Sequence, residues 1–247
     1  MRLKITFRPQ HGQLTLPIHY HEIVQGFFYR SIQDFDLAHF LHEIGFVYEK
    51  RVYKLFTFSR LEGSYRILKK EKQIQFLERV ELSISCVVNE LIEDLSNRFV
   101  LGQNLQLWGQ PIIIEEVATS QLTALEQDKY EIRMLSPLTI YSTFENVEGV
   151  QKTQFISPFD SHFSDMIEQN FYKKYMAYYH RQPDGRMKIT PQKVTMKDRV
   201  VTKYKNLYLT GWMGQYTIES SFDTLQFLYD VGIGAKNPQG FGMFEIL

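Results

Sequence analysis

Three polar side chains in the first quarter of the chain could carry out acid–base and electrostatic chemistry. Tyr29 ends a run of aromatic residues, His42 stands three positions after His39, and Lys54 opens the largely apolar stretch 54–59. A histidine ordinarily titrates near pH ~6.5, so it can remove or deliver a proton, and a lysine can stabilise an anionic transition state. Taken singly, each is an ordinary surface residue, and the spacing does not single them out.

The histidines also leave a metal site open as an alternative. His39, His42 and Glu43 could serve as ligands, and His19 and His21 could join them. No later segment shows a matching spacing of metal ligands, so we expect neither a metal ion nor a cofactor. In a helix over residues 35–44, each residue turns roughly 100°, which points both central histidines away from the apolar stripe. This direction argues against two buried core histidines.

Four glycines near the C-terminus form two Gly-apolar-Gly pairs around a polar loop. The candidate binding residues of this loop are Gly232, Gly234, Lys236, Gly240 and Gly242. Glycine suits backbone with positive φ or close approach to a ligand, and bare N–H groups suit phosphate. A dinucleotide-binding loop would need a strand before it and a helix after it, whereas the preceding segment here is helical. A tight helix–strand connection is the alternative, and the pattern alone favours neither.

The charge of the chain is balanced overall but uneven along the sequence. The 28 basic and 28 acidic residues cancel, which argues against a general nucleic-acid binder. Residues 181–205, however, hold eight bases and two acids, as expected for a local phosphate-binding face. The candidate phosphate contacts there are Arg186, Lys188, Lys193, Lys197 and Arg199. A solvated pair of strands without a binding role is the alternative.

Length and composition indicate an ordinary globular protein with two domains. A chain of 247 residues with 44% hydrophobic residues suits two domains of about 120 residues each. Its one cysteine excludes an internal disulfide, and it has neither an apolar run of membrane length nor a signal-peptide core. We therefore expect a cytoplasmic protein that does not enter membranes.

Hydrophobic periodicity predicts an α+β protein of two tandem ferredoxin-like (RRM-like) domains, residues 1–120 and 121–247. The first half predicts the order β-α-β-β-α-β, with helices over 22–32 and 84–99 and strands over 2–7, 53–58, 65–68, 74–82 and 112–117. Residues 118–127 form the predicted linker. A second copy is predicted from strand 130–135 through helix 162–179, a long strand 207–218 and helix 222–229.

The glycine pattern and its terminal position resemble the closing loop of the CRISPR-associated repeat-processing endoribonucleases, the Cas6 family of the RAMP superfamily. The N-terminal domain of that family carries a tyrosine at the end of the first helix. A histidine follows, in a segment like Leu37-Ala-His-Phe-Leu-His-Glu43, and then a lysine opens a strand. These positions match Tyr29, His42 and Lys54, with His39 one turn away as the alternative histidine.

The resemblance implies metal-independent cleavage of precursor CRISPR RNA within its repeats. The ribose 2′-hydroxyl attacks the adjacent phosphate and leaves a 2′,3′-cyclic phosphate and a 5′-hydroxyl. It implies acid–base work by His42, in a direction that the sequence does not decide, and charge stabilisation by Lys54. It implies for Tyr29 either orientation of the RNA or the role of partner acid–base group. The implied partner is the repeat RNA, with interference-complex subunits as further candidates and a monomer or homodimer as the assembly. The alternative is a non-cleaving repeat-RNA-binding protein or a structural RAMP subunit of a CRISPR complex.

Overall fold

The computed structural model describes residues 1–124 and 127–247. The N-terminal half contains strands β1 (Arg2–Pro9), β2 (Leu14–Pro17), β3 (Phe46–Tyr48), β4 (Arg51–Tyr53), β5 (Phe56–Phe58), β6 (Glu62–Leu68), β7 (Gln73–Cys86), β8 (Gln106–Leu107) and β9 (Gln110–Ser120). Its helices are α1 (His21–Ser31), α2 (Phe35–His39), which continues as a π-helical turn (Phe40–Ile44), and α3 (Asn89–Leu101).

The C-terminal half contains strands β10 (Lys129–Met134), β11 (Tyr141–Glu145), β12 (Gln151–Phe155), β13 (Lys188–Lys193), β14 (Arg199–Tyr204), β15 (Leu207–Trp212), β16 (Gln215–Glu219) and β17 (Phe244–Ile246). Its α-helices are α4 (Phe163–Tyr179) and α5 (Phe222–Val231). Short 3₁₀ turns cover Met196–Asp198 and Asn237–Gln239.

The N-terminal sheet is built around its first strand. Alternation buries Leu3, Ile5 and Phe7 of β1, and this strand pairs antiparallel with β7 on one side and β9 on the other. Strands β5 and β6 both pair with β7 on the side away from β1. The strands of the ferredoxin-like motif therefore lie in the order β9, β1, β7 and then β5 with β6. Helices α1 and α3 pack against the same core.

The C-terminal sheet repeats this arrangement with different residues. Its order is β13-β16-β10-β17. The first strand of this motif, β10, therefore lies between β16 and β17, as β1 lies between β7 and β9. Helices α4 and α5 contribute Ile167, Phe171, Leu225 and Leu228 to a second core. The predicted α+β fold of two tandem ferredoxin-like domains is confirmed.

Three predicted elements are wrong in their bounds. The expected strand 53–58 is interrupted at Lys54 and Leu55, which lie between β4 and β5, and Leu55 has a φ of +44°. Residues 84–86 were expected to begin a helix, but they end β7, because Ile84 pairs with Leu3 of β1 and with Phe58 of β5. The helix begins at Asn89. The expected long strand 207–218 is two strands, since Gly214 has a φ of +106° and turns the chain from β15 into β16.

The predicted linker lies only partly among the described residues. Strand β9 extends through Ser120 and so occupies the first part of it. Residues 125 and 126 lie outside the described part of the chain.

The two domains are joined by polar contacts near the first strands. Thr57 Oγ1 on β5 donates to Phe241 O over 2.8 Å, and Ser85 Oγ on β7 donates to Tyr229 O over 3.1 Å. The guanidinium of Arg2 lies 3.6 Å from the centre of the Tyr229 ring. The contact of Thr57 holds the C-terminal glycine loop, and the contacts of Ser85 and Arg2 hold the end of α5, beside the N-terminal sheet. None of the described helices has the length and apolar composition to cross a bilayer.

Candidate active site

The segment that carries His42 is a short helix that changes its winding before it ends. Asp34 caps its start by accepting a hydrogen bond from Leu37 N over 3.0 Å. The α-helix then widens into the π-helical turn that contains His42, a feature frequent at functional sites. Gly45 ends the turn with a φ of +70°, and its N–H donates to Phe40 O over 2.7 Å.

This turn brings His42 to the other two predicted catalytic residues. The rings of Tyr29 and His42 meet edge to face, with their centres 5.3 Å apart. Lys54 Nζ donates to His42 O over 2.9 Å, and Tyr29 OH donates to Leu41 O over 3.5 Å. His42 Nδ1 lies 2.6 Å from Glu43 Oε1, an arrangement that leaves Nε2 for a substrate.

The surroundings change the acidity of the groups beside the histidine. Burial raises the pKa of Tyr29 to about 12, so its phenol keeps its proton at neutral pH and is suited to donate a hydrogen bond. Burial lowers the pKa of Lys54, and the nearby charge of Glu43 opposes this change. The hydrogen bond with His42 lowers the pKa of Glu43 itself.

The alternative histidine lies elsewhere. His39 is exposed, and its ring stacks on that of Phe35 with the centres 6.4 Å apart and the planes only 7° from parallel. His42 lines the interdomain cleft, whereas His39 does not. This placement favours His42 as the catalytic histidine.

A cleft of about 860 Å³ between the domains joins the three residues to the glycine loop. Its basic lining comes from both domains: Arg51, Lys54, Lys173, Lys174, Lys205 and Lys236. The described residues that line it include neither aspartate nor glutamate. A cleft with one sign of charge concentrates field lines and attracts anions.

The lining also holds polar atoms with unused hydrogen-bonding capacity. Tyr53 OH, Asn170 Oδ1 and Gln239 Oε1 are buried and, within the described parts of the chain, lack a hydrogen-bond partner. Because a buried polar atom without a partner is unfavourable, a ligand that offers matching groups would gain from meeting them.

Contacts within the protein are enough to explain why the loop needs glycine at these positions. Gly232, Gly234, Gly240 and Gly242 all have positive φ and are buried. A Cβ at Gly240 would overlap the ring of Phe58 across the domain interface, and one at Gly242 would overlap the Ile233 carbonyl oxygen. The close approach that the glycines allow is thus to the chain itself, and their direct contact with RNA stays a prediction.

Lys236 is better placed than the glycines for direct contact. It lines the cleft, and its Nζ lies 5.3 Å from the centre of the ring of Tyr141, which lines the same cleft.

The predicted basic face lies outside this cleft except at Lys205, which lines it. Its bases are divided between β13, an edge strand of the C-terminal sheet, and the segment around β14, which pairs only with β15 among the described strands. Arg186 is held by Glu168 through two hydrogen bonds of 3.0 and 2.7 Å. The structure does not bring Lys188, Lys193, Lys197 or Arg199 to the three catalytic candidates, and their RNA contacts stay predictions.

Sequence reasoning predicted Lys54 and Lys236 as site residues but assigned no site role to the other four cations that line the cleft. Arg51 comes from β4, Lys173 from α4 and Lys205 from the turn after β14. Arg51 and Lys205 are 154 positions apart, and the three residues share no local pattern. The sequence signal for Lys205 was its position as the last base of the basic stretch 181–205.

The described residues contain no group of three or more histidine, cysteine, aspartate or glutamate side chains placed to hold a metal ion.

The fold and the site together define the class of protein. It has two tandem ferredoxin-like domains with a histidine, a tyrosine and a lysine beside a basic interdomain cleft.

Comparison with known proteins assigns the family. A model described as "CRISPR associated protein Cas6, C-terminal" matches residues 120–246, and one described as "CRISPR-associated protein Cas6, N-terminal" matches residues 15–118. The chain belongs to the Cas6 family of CRISPR-associated proteins, as the glycine loop and the N-terminal residues predicted.

Curated relatives and solved structures agree with this assignment. The chain is 24% identical over 213 residues to the CRISPR-associated endoribonuclease Cas6 1 of Methanocaldococcus jannaschii, covering 82% of this chain and 80% of that protein. It is 23% identical to the CRISPR-associated endoribonuclease Cas6 of Pyrococcus furiosus, covering 94% and 83%. A structure of a Cas6-related protein from Pyrococcus furiosus superposes with a TM-score of 0.84 at 19% identity, covering 100% of this chain and 98% of that one.

Proposed function

We propose that this protein is an endoribonuclease that cleaves precursor CRISPR RNA within its repeats. The observation that carries this proposal is the convergence of Tyr29, His42 and Lys54 on one basic cleft in a member of the Cas6 family. The printed names of the two curated relatives, both endoribonucleases, support the same activity.

The proposed reaction needs no reactant other than the RNA. The ribose O2′ forms a bond to the adjacent phosphorus while the bond from phosphorus to O5′ breaks, and one proton moves from O2′ to O5′. The products are a 2′,3′-cyclic phosphate and a 5′-hydroxyl. Because the reaction only exchanges two P–O bonds, acid–base groups and positive charge suffice, and we propose that no metal ion takes part.

His42 is assigned to the proton transfer. If its Nδ1–H donates to Glu43, the neutral ring presents the lone pair of Nε2 to the cleft, which suits removal of the 2′-hydroxyl proton. Glu43 then acts as the group that orients the ring. After the transfer, the imidazolium can return the proton to the departing O5′.

Lys54 and Tyr29 are assigned to the phosphate and its geometry. Lys54 lies beside the His42 backbone, so its ammonium can stabilise the charge that builds on the phosphorane oxygens. The phenol of Tyr29 remains protonated and can hold the phosphate or sugar for in-line attack.

The remaining assignments complete the proposal. We propose a boundary between the domains at residues 120 and 121, with RNA held by the cleft, by the glycine loop and by the bases between Arg186 and Arg199. A cytoplasmic location, contacts with interference-complex subunits and a monomeric or homodimeric state remain predictions.

The test uses purified protein, repeat RNA from its own locus and excess chelator. We expect cleavage at one site with a cyclic phosphate end, and no cleavage when the nucleotide before the cut is 2′-deoxy. The replacement His42→Ala should slow single-turnover cleavage by about 10²-fold or more, and Lys54→Met by about 10²–10³-fold, with RNA affinity nearly kept.

His39→Ala is the matched control and should cleave like the wild type. Normal cleavage by His42→Ala would contradict the assignment and transfer it to His39. Tight binding of repeat RNA without product, with chelator or with Mg²⁺, would favour the non-cleaving RNA-binding or structural RAMP subunit.

A further inference from the structure

A buried lysine stands directly behind the glycine loop. Lys174 on α4 is 2% exposed, and its Nζ donates to Gly232 O over 2.5 Å, to Gly234 O over 3.1 Å and to Asn237 Oδ1 over 3.1 Å. All three acceptors are uncharged. Burying an ammonium group without a carboxylate partner is costly, so the position of this side chain requires an explanation beyond packing.

Asn237 extends the contacts of this lysine through the loop. Its Nδ2 donates to Ile233 O over 3.0 Å and to Phe241 O over 2.9 Å. Phe241 O also accepts the hydrogen bond from Thr57 of the N-terminal domain. Four carbonyl oxygens of the loop are therefore turned towards the interior of the protein.

Part of the loop carries backbone N–H groups that are not used inside the protein. The backbone N–H groups of Gly234, Lys236 and Asn237 donate to no acceptor in the described residues, and all three residues line the cleft. Of the peptide groups whose oxygens are held inside, only the Ile233–Gly234 peptide has such an N–H, because the N–H groups of Ile233, Ala235 and Gly242 donate within the described residues. Free N–H groups beside the cleft favour an anion there.

We propose that Lys174 is a positioning residue for RNA binding. Its ammonium group holds the loop through Gly232 O, Gly234 O and Asn237 Oδ1, and this fixes the free N–H groups of the loop at the cleft for the RNA phosphates. This inference rests on the proposed function, because it takes RNA to be the anion in the cleft.

The acidity of the lysine is consistent with this arrangement. Burial lowers the pKa of Lys174 to about 7, whereas the oxygen acceptors around it favour the charged form. A phosphate on the other side of the loop would favour the charged form further, and the charge would act on it through protein rather than through water.

Lys174→Met tests the proposal, because methionine has a similar length but no charge and no donor. Lys173→Met is the matched control, since its side chain lines the same cleft but is only half-buried. Hydrogen–deuterium exchange of the peptide that covers residues 232–241 should become roughly tenfold or more faster in Lys174→Met and stay unchanged in Lys173→Met.

Cleavage kinetics give the functional readout. In single-turnover assays, Lys174→Met should raise the half-saturating protein concentration roughly tenfold or more, with the maximal rate kept within about threefold. Lys173→Met should weaken binding less, through the loss of one phosphate contact. Lys174→Gln keeps two N–H donors and should give intermediate loop exchange and affinity. If Lys174→Met does not fold, Lys174→Gln is measured in its place.

Unchanged loop exchange in Lys174→Met, or exchange that rises equally throughout the chain, would overturn the proposal. A fall in the maximal rate with unchanged affinity would do the same. Wild-type protein that binds no repeat RNA would instead refute the proposed function, and the exchange of the loop would still show whether Lys174 holds it.

Discussion

Gly240 and Gly185 form a matched pair that measures how tightly the glycine loop packs against the N-terminal domain. Their φ angles are nearly equal, +82° and +84°. A Cβ at Gly240 would overlap the ring of Phe58 and lie 3.0 Å from His21 Nδ1, whereas a Cβ at Gly185 has no heavy atom within 4 Å. Alanine at the two positions therefore differs in packing and not in backbone strain.

The expected losses follow from these two contributions. Positive φ costs a residue with a Cβ about 1–2 kcal/mol, which applies to both variants. Overpacking in a dense interior adds about 1–3 kcal/mol, which applies only to Gly240→Ala. We expect Gly185→Ala to lose about 1–2 kcal/mol of unfolding free energy and Gly240→Ala about 2–5 kcal/mol.

Urea unfolding followed by circular dichroism measures the difference, and thermal unfolding checks it. For a chain of this size each kcal/mol lowers the Tm by roughly 2–4 °C, so Gly240→Ala should lower it by roughly 4–20 °C and Gly185→Ala by roughly 2–8 °C. Equal losses in the two variants would refute the reasoning, because the crowding at Phe58 would then carry no cost. The reason for glycine at 240 would have to be sought in RNA contact instead.

Two further predictions concern pH. Because burial raises the pKa of Tyr29 to about 12, its phenol stays protonated through neutral and mildly alkaline pH. Tyr29→Phe should therefore lower the cleavage rate without changing the shape of its pH profile up to pH ~10, and a lost alkaline limb would contradict this. Lys174, with a pKa of about 7 when folded, binds fewer protons between pH ~7 and ~10 than it does when unfolded, so stability must rise with pH there. Urea unfolding should show the wild type gaining about 2 kcal/mol on Lys174→Met between pH ~7 and ~9. Parallel curves for the two proteins would show that Lys174 keeps its proton in the folded state and would contradict the lowered pKa.

The catalytic candidates could be predicted from the sequence, although their spacing alone did not identify them. Tyr29, His42 and Lys54 became a set only when the terminal glycine pattern and the N-terminal segment matched one family. The choice between His42 and His39 depended on structure, because an α-helical pattern does not indicate where a π-helical turn will begin. That turn places His42 at Tyr29, while His39 stacks on Phe35.

The sequence by itself determined the repeated ferredoxin-like plan, because hydrophobic periodicity and turn residues act within short segments. It indicated the family through the resemblance of its glycine loop and its N-terminal segment to the Cas6 family. Only the tertiary structure decided which cations line the cleft, since Arg51, Lys173 and Lys205 meet through the docking of two domains. It also decided that the loop glycines pack against the chain itself and that Lys174 is buried behind them, because burial and close approach depend on residues distant in sequence.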